Sequence, residues 1–437
     1  MKREITYILS AILASGFSYA ASVTAENSGS WSDTATWAGG VLPTDADSVT
    51  INSGVTVTLD TAATIEKLNH YNSDESHTLI VTGSDASLTL TGTTQLWNNN
   101  RLQLFVENGA SLTANSIAWG SGGYNNITVS GTGTTFTSAF AELRGSTVNG
   151  GSVFKVTDGA TANATGEWKL NANHGGTMIF EISNGATLNI NKSLYFDAAS
   201  NSSSVMKVLS GGKVLAASGN TIGINYWNAL QSGSENRLII AGEGSQIKTQ
   251  GTNGNIYVGN QFTTAGAEIT SHLQLGTVEN GEFMAASGNA VNTDYEFRVY
   301  ASGQVDIMLG AENAISYGEM VNYEDVLINA KYFKQIEGGL TVDFSNVTGL
   351  EEGLYSFALF ASNSGENLDF DNWSDLFLNG VVETDNVKLY FDEEDGKCYD
   401  ISGNILYLHV QVVPEPATYA AIFGALALAF AAYRRRK

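Results

Sequence analysis

Val153-Phe154-Lys155-Val156-Thr157-Asp158-Gly159-Ala160-Thr161-Ala162 and Ile179-Phe180-Glu181-Ile182-Ser183-Asn184-Gly185-Ala186-Thr187-Leu188 are two copies of one pattern. Each runs apolar, polar, apolar, turns at Asp-Gly or Asn-Gly, then leaves in a second short strand. Alternation at period two marks strands with one buried face, and Asx-Gly supplies the turn between them. An earlier copy reads Leu102-Gln103-Leu104-Phe105-Val106-Glu107-Asn108-Gly109-Ala110-Ser111-Leu112, and looser ones surround Gly131, Gly212 and Gly244. Gly159 and Gly185 lie 26 residues apart, and 32 separate Gly212 from Gly244. A unit of this size that cannot bury its own apolar face predicts stacked coils rather than a sandwich.

If each copy is one coil, equivalent residues stand about 4.8 Å apart along the axis. Phe154 then stacks on Phe180 and Val156 on Ile182, with Lys155, Glu181 and Lys207 on one outward ladder of alternating charge. The expected fold is all-β: a right-handed parallel β-helix (β-solenoid), a β-rich C-terminal region and a short C-terminal transmembrane helix. Composition agrees, with 47 Gly in the chain and, of only three Pro, just Pro43 within the body. Proline interrupts strand ladders, so its scarcity suits a continuous stack.

Five segments follow: 1–20, a signal peptide; 21–60, an N-terminal cap and first strands; 61–285, the repeats; 286–412, a β-rich cap region; 413–437, a C-terminal signal. Lys2 and Arg3 precede an apolar run from Ile5 to Phe17, and Ser18-Tyr19-Ala20 presents small residues before a cut between Ala20 and Ala21. After about residue 285 the repeat fades and larger aromatics arrive, Tyr295, Phe297, Tyr300, Tyr332 and Phe333, and the last strand runs to Val412.

The C-terminus orders three parts: Pro414-Glu415-Pro416, an apolar run to Tyr433, and the basic stop Arg434-Arg435-Arg436-Lys437. The basic end predicts a cytoplasmic terminus. Sixteen residues from Thr418 to Tyr433 rise about 24 Å as a helix, against about 30 Å of hydrocarbon, which suits a transient anchor. The arrangement resembles the PEP-CTERM sorting domain of exported bacterial proteins. That resemblance implies an exosortase-type membrane transpeptidase as partner, transient residence in the inner membrane, and delivery to the cell surface or extracellular matrix of a Gram-negative-type bacterium. Residues 27–59, with Trp31, Trp37, Gly39-Gly40, Pro43 and the Val49 to Leu59 alternation, resemble the start of secreted bacterial parallel β-helix proteins of the autotransporter-passenger kind. Trp31 and Trp37 are read as the lid of the stack, with a sugar-stacking platform as the alternative.

Between residues 22 and 433 there are 15 cationic and 43 acidic side chains, a net charge of −28. Nucleic acid and anionic membrane surfaces are therefore poor partners. A lone Cys398 forms no intrachain disulfide. His70, His77, His174, His272 and His409 lack metal-ligand spacing, and no nucleotide or hydrolase motif is present. The acidic Asp392-Glu393-Glu394-Asp395-Gly396 resembles calcium chemistry only in its clustered oxygens. No catalytic residue, cofactor or metal ligand is assigned. The expectation is a non-enzymatic structural or adhesive surface protein with extracellular polysaccharide as a further partner. The alternatives are a polysaccharide lyase, a glycoside hydrolase or a glycan-binding module.

Overall fold

A computed structural model describes residues 21–413, apart from 70–74, 97–100, 120–123, 147–150, 173–175, 199–200, 226–232, 264–267, 335–337, 364–379 and 395. The described chain is all-β and its sheets are dominated by parallel pairing. The predicted register holds: Phe154 pairs with Phe180, Val156 with Ile182 and Lys155 with Glu181. One coil on, Glu181 pairs with Lys207.

These pairs belong to a thirteen-stranded sheet that runs from Gly29–Ser30 to Val381–Val382. One inward column of that sheet reads Val57, Leu79, Leu104, Ile127, Phe154, Phe180, Met206, Leu238, Leu273, Val305, Leu340. Every member is buried. Two residues further on, a second column runs from Leu59 through Val156 and Ile182 to Val342, also buried throughout. Each coil adds one apolar rung to each column, so the core is as long as the stack. Its stability is the sum of neighbour contacts.

The turn between copies explains the Asx-Gly pattern. Asn108, Asp158 and Asn184 have φ of 58°, 56° and 52°, followed by Gly109, Gly159 and Gly185 in the same left-handed region. Asx residues tolerate that region and Gly occupies it freely. The next copy turns on Ser210-Gly211 (φ 50° and 82°), one residue earlier than the Gly212 alignment. Gly212 has a different role, because a Cβ there would stand 2.2 Å from the Ile182 carbonyl oxygen.

The opposing parallel sheet forks, which the repeat gave no sign of. Thr135–Arg144 pairs along its first half with Thr161–Ala164 and along its second with Trp168–Ala172. Each prong climbs four strands, and both rejoin on Val291–Val299. The pairing diagram therefore closes into a ring of ten strands, traced by two side-by-side parallel ladders joined at each end by one long strand. At the fork, Phe136, Phe154, Trp168 and Phe180 pack with centroids 5.1 to 6.0 Å apart, edge to face except for the tilted pair Trp168–Phe180.

Trp31 and Trp37 are both buried, 4.9 Å apart at 76°, and the Trp37 indole donates to the Trp31 carbonyl. They close the first coils from within, so neither presents a stacking platform. Parallel stacking continues past the point where the repeat fades: Gly303–Gly310 still pairs with Ser271–Leu275 below and Gly339–Asn346 above. Antiparallel pairing takes over at Gly353–Ser362, whose end joins the parallel stack at Phe360 while its body pairs with Ile405–Val412. The predicted signal peptide, including Ala20, lies outside the described residues, as do Pro414, Glu415, Pro416, the C-terminal helix, Arg434, Arg435, Arg436 and Lys437. Among the described residues no helix is long and apolar enough to cross a membrane.

Candidate functional site

The outward face of the second prong carries the side chains best suited to hold a ligand. Its register runs Lys169, Tyr195, Gly223, Tyr257, Arg298, Lys334, one residue per coil. Tyr195, Tyr257 and Arg298 alternate with the buried neighbours Leu194 and Phe196, Ile256 and Val258, Phe297 and Val299, so strand pleating turns these three outward. Arg298 is central. Its guanidinium lies 5.9 Å from the Tyr257 ring centroid and 5.5 Å from that of Tyr300, and its Nε is 2.5 Å from Glu296 Oε1. Burial opposes its charge, but the Tyr300 hydroxyl and the Glu296 carboxylate outweigh that and raise its pKa. It remains a cation at any working pH.

One coil further, Tyr332 meets Tyr295 edge to face at 5.4 Å. Lys331 and Lys334 reach over the Tyr332 ring, their Nζ atoms 5.1 and 5.3 Å from its centroid. Neither lysine has a carboxylate within ion-pairing distance among the described residues. In a chain with 44 acids to 21 bases, two cations around one aromatic ring without an ion-pair partner among the described residues form a local exception. Aromatic faces and cations together suit a ligand with flat C–H faces and oxygen-rich edges.

A second polar group sits on the thirteen-stranded sheet. His272 Nδ1 is 2.8 Å from Asp306 Oδ2, Thr341 donates to Asp306 Oδ1 at 2.7 Å, and Gln304 donates to the same oxygen. Burial disfavours the Asp306 carboxylate, yet the hydrogen bonds from His272, Thr341 and Gln304 prevail and hold its pKa below the usual range. Arg237 grips Glu235 through Nε and Nη2 and donates to Gln274. The group spans four coils with its donors and acceptors matched to one another, which describes a polar clasp. The members sit at spacings of 32 to 37 residues, unlike the 26 of the legible copies, and this hid them from sequence reading.

The remaining sequence candidates are dispersed. On the outward ladder Lys155 is engaged with Glu181 and Lys207 with Glu279, and on the second prong Lys169 is engaged with Glu167. His409 is buried and hydrogen-bonds Ser356 through Nδ1. His77 is buried on the first sheet, while His70 and His174 lie outside the described residues. Cys398 is buried and free, and burial raises its thiol pKa. In the acidic turn the Asp392 side chain accepts from the Glu394 amide and from Tyr317, and Asp395 is outside the described residues. No group of three or more metal-ligating side chains occurs among the described residues. A cavity of about 620 Å³ opens between Ala285–Gly288 and Phe357–Leu359, with Glu243, Glu312 and Asp325 at its polar edge. No protein-family model, curated protein or solved structure matches the chain.

Proposed function

We propose that this is an exported, non-enzymatic structural or adhesive protein of the cell surface or extracellular matrix. In this reading its body is a right-handed parallel β-helix of the autotransporter-passenger kind, and it contacts extracellular polysaccharide through the Tyr257–Arg298–Lys334 face. Residues 1–20 direct export, and the PEP-CTERM-like end, with Pro414, Glu415 and Pro416 as the motif and Arg434 to Lys437 as the stop, recruits an exosortase-type transpeptidase.

One observation carries the reading: on adjacent coils of one outward face Arg298 lies beside the Tyr257 ring, and Lys331 and Lys334 lie over the Tyr332 ring, in an otherwise acidic chain. Rungs about 4.8 Å apart match the scale of a sugar residue in an extended glycan, so successive rings can be met by successive sugars. The polar clasp around Asp306 has its hydrogen bonds directed at its own members, which favours holding coils together over activating water.

The test is to incubate the purified protein with neutral and uronate polysaccharides, measuring retention and product release together. Binding without new reducing ends or unsaturated products is expected. The double change Tyr257→Ala and Tyr332→Ala should weaken binding about fivefold or more, since each lost stacking or cation–π contact is worth about 0.5–2 kcal/mol. Turnover of any glycan would overturn the non-enzymatic reading, and unchanged binding in the double variant would remove this face from it.

A further inference from the structure

The backbone of Ala21 is clasped at both ends. Its N–H donates to Asp47 Oδ1 at 3.0 Å, and its carbonyl accepts from the Ser48 amide at 2.9 Å. Asp47 is only 6% exposed, and its other oxygen accepts from the Thr44 amide at 2.8 Å and the Thr44 hydroxyl at 2.7 Å. A shielded carboxylate is costly without an opposite charge. Among the described residues no Lys, Arg or His side chain pairs with Asp47. The nearest strand brings Glu66, which accepts from Ser48 Oγ at 2.7 Å, and Lys67, which sits 3.7 Å from Glu66 rather than on Asp47. Asp45 adds a further negative charge two residues away.

We infer that Asp47 is the receptor for a processed N-terminus: hydrolysis of the Ala20–Ala21 peptide bond leaves the Ala21 α-ammonium seated on the Asp47 carboxylate. The inference rests on the export reading for the cut itself. In that step a peptidase adds water across the amide. Ala20 leaves as a carboxylate and Ala21 gains an amine that takes up a proton. The donor already seated at Asp47 thereby acquires the charge the site lacks, and hydrogen bonds between charged partners are about twice as strong as neutral ones. The strand Ser22–Ala25, which pairs residue for residue with Ser48–Ile51, is then fastened at its first residue. Ala25 at the other end of this strand bridges to Trp37, so the fastened strand borders the tryptophan pair. Burial works against ionisation of Asp47, while the Thr44 hydroxyl and the Thr44 and Ala21 amides together keep its pKa low, so the carboxylate is charged when the amine arrives.

The test uses the whole protein in three forms: the full precursor, the chain beginning at Ala21, and the same chain with one glycine added ahead of Ala21. N-terminal sequencing of the exported protein should read Ala21 first. The chain beginning at Ala21 should melt above the glycine-extended form at pH 6–7. An α-amino group titrates near 8 unpaired, and pairing raises its pKa in the fold. Its stabilisation is therefore complete below about pH 8 and lost as pH rises through the raised value, so the gap should close by about pH 10. In Asp47→Asn the gap should be absent at every pH. An exported protein that starts elsewhere overturns the cut. A protein that starts at Ala21 but shows no pH-dependent gap overturns Asp47 as the receptor while leaving export intact.

Discussion

Between Phe154 and Met206 each coil of the thirteen-stranded sheet takes 26 residues; between Leu238 and Leu340 each takes 32 to 35. Both regions fill the same inward columns with apolar side chains, so the extra residues leave the core unchanged. They go to the connections, including the small hairpin of Thr277–Glu279 with Glu282–Met284. They also go with a change on the outer surface. The regular coils carry a single repeating ladder of Lys155, Glu181 and Lys207. The longer coils carry Arg237, His272 and Asp306 on one sheet and Tyr257, Arg298 and Tyr332 on the other. Regularity serves assembly here, and departure from it makes room for side chains that act singly.

The largest effect should come from the regular region. Phe180 is fully buried between Phe154 and Trp168, 5.1 and 6.0 Å from their ring centroids. Phe180→Ala should cost about 3–5 kcal/mol, because neighbouring coils are held by backbone ladders and cannot collapse into the space. Urea denaturation monitored by tryptophan fluorescence would measure it. A loss near 1 kcal/mol would mean that the inward columns are softer than the pairing implies.

A smaller effect belongs to the irregular region. Asp306→Asn keeps the shape but removes the charge that His272, Thr341 and Gln304 stabilise, and should cost about 1–3 kcal/mol at pH 7. The sign with pH follows from the depressed pKa of Asp306. Its contribution is present above the unfolded value of about 3.9 and is lost as pH falls through the folded value. The difference in urea midpoint between wild type and Asp306→Asn should therefore shrink on acidification from pH 5 to pH 2. A constant difference would show that the side chain acts by shape alone.

How much could be read from the chain follows the same division. Phe154 over Phe180, Val156 over Ile182 and the Lys155–Glu181 rung were legible, because a constant period fixes both register and facing. The fork at Thr135–Arg144 was hidden, since a long strand that pairs with two short ones reads as one run of alternation. The Tyr257–Arg298–Lys334 face was hidden for another reason. Its rungs lie 41 and 36 residues apart, and no fixed offset brings them together. Gly212 shows the limit of aligning on glycine: two adjacent glycines serve two needs, the left-handed turn at Gly211 and the close approach to Ile182 at Gly212.

The smallest expected effect tests whether the legible charge ladder matters to the fold. Lys155 Nζ lies 2.9 Å from Glu181 Oε1, but both side chains keep contact with water. Exposed pairs of this kind are worth about 0.2–1 kcal/mol, and salt screens them. Glu181 also accepts from the Ser183 hydroxyl at 2.7 Å, a bond that a neutral amide can still receive. Glu181→Gln should therefore shift the urea midpoint by less than about 1 kcal/mol at low salt, and the shift should fade near 1 M salt as the Debye length falls to about 3 Å. A salt-independent loss as large as that of Phe180→Ala would reverse the assignment, making the outward ladder rather than the inward column the element that fixes the register of the regular coils.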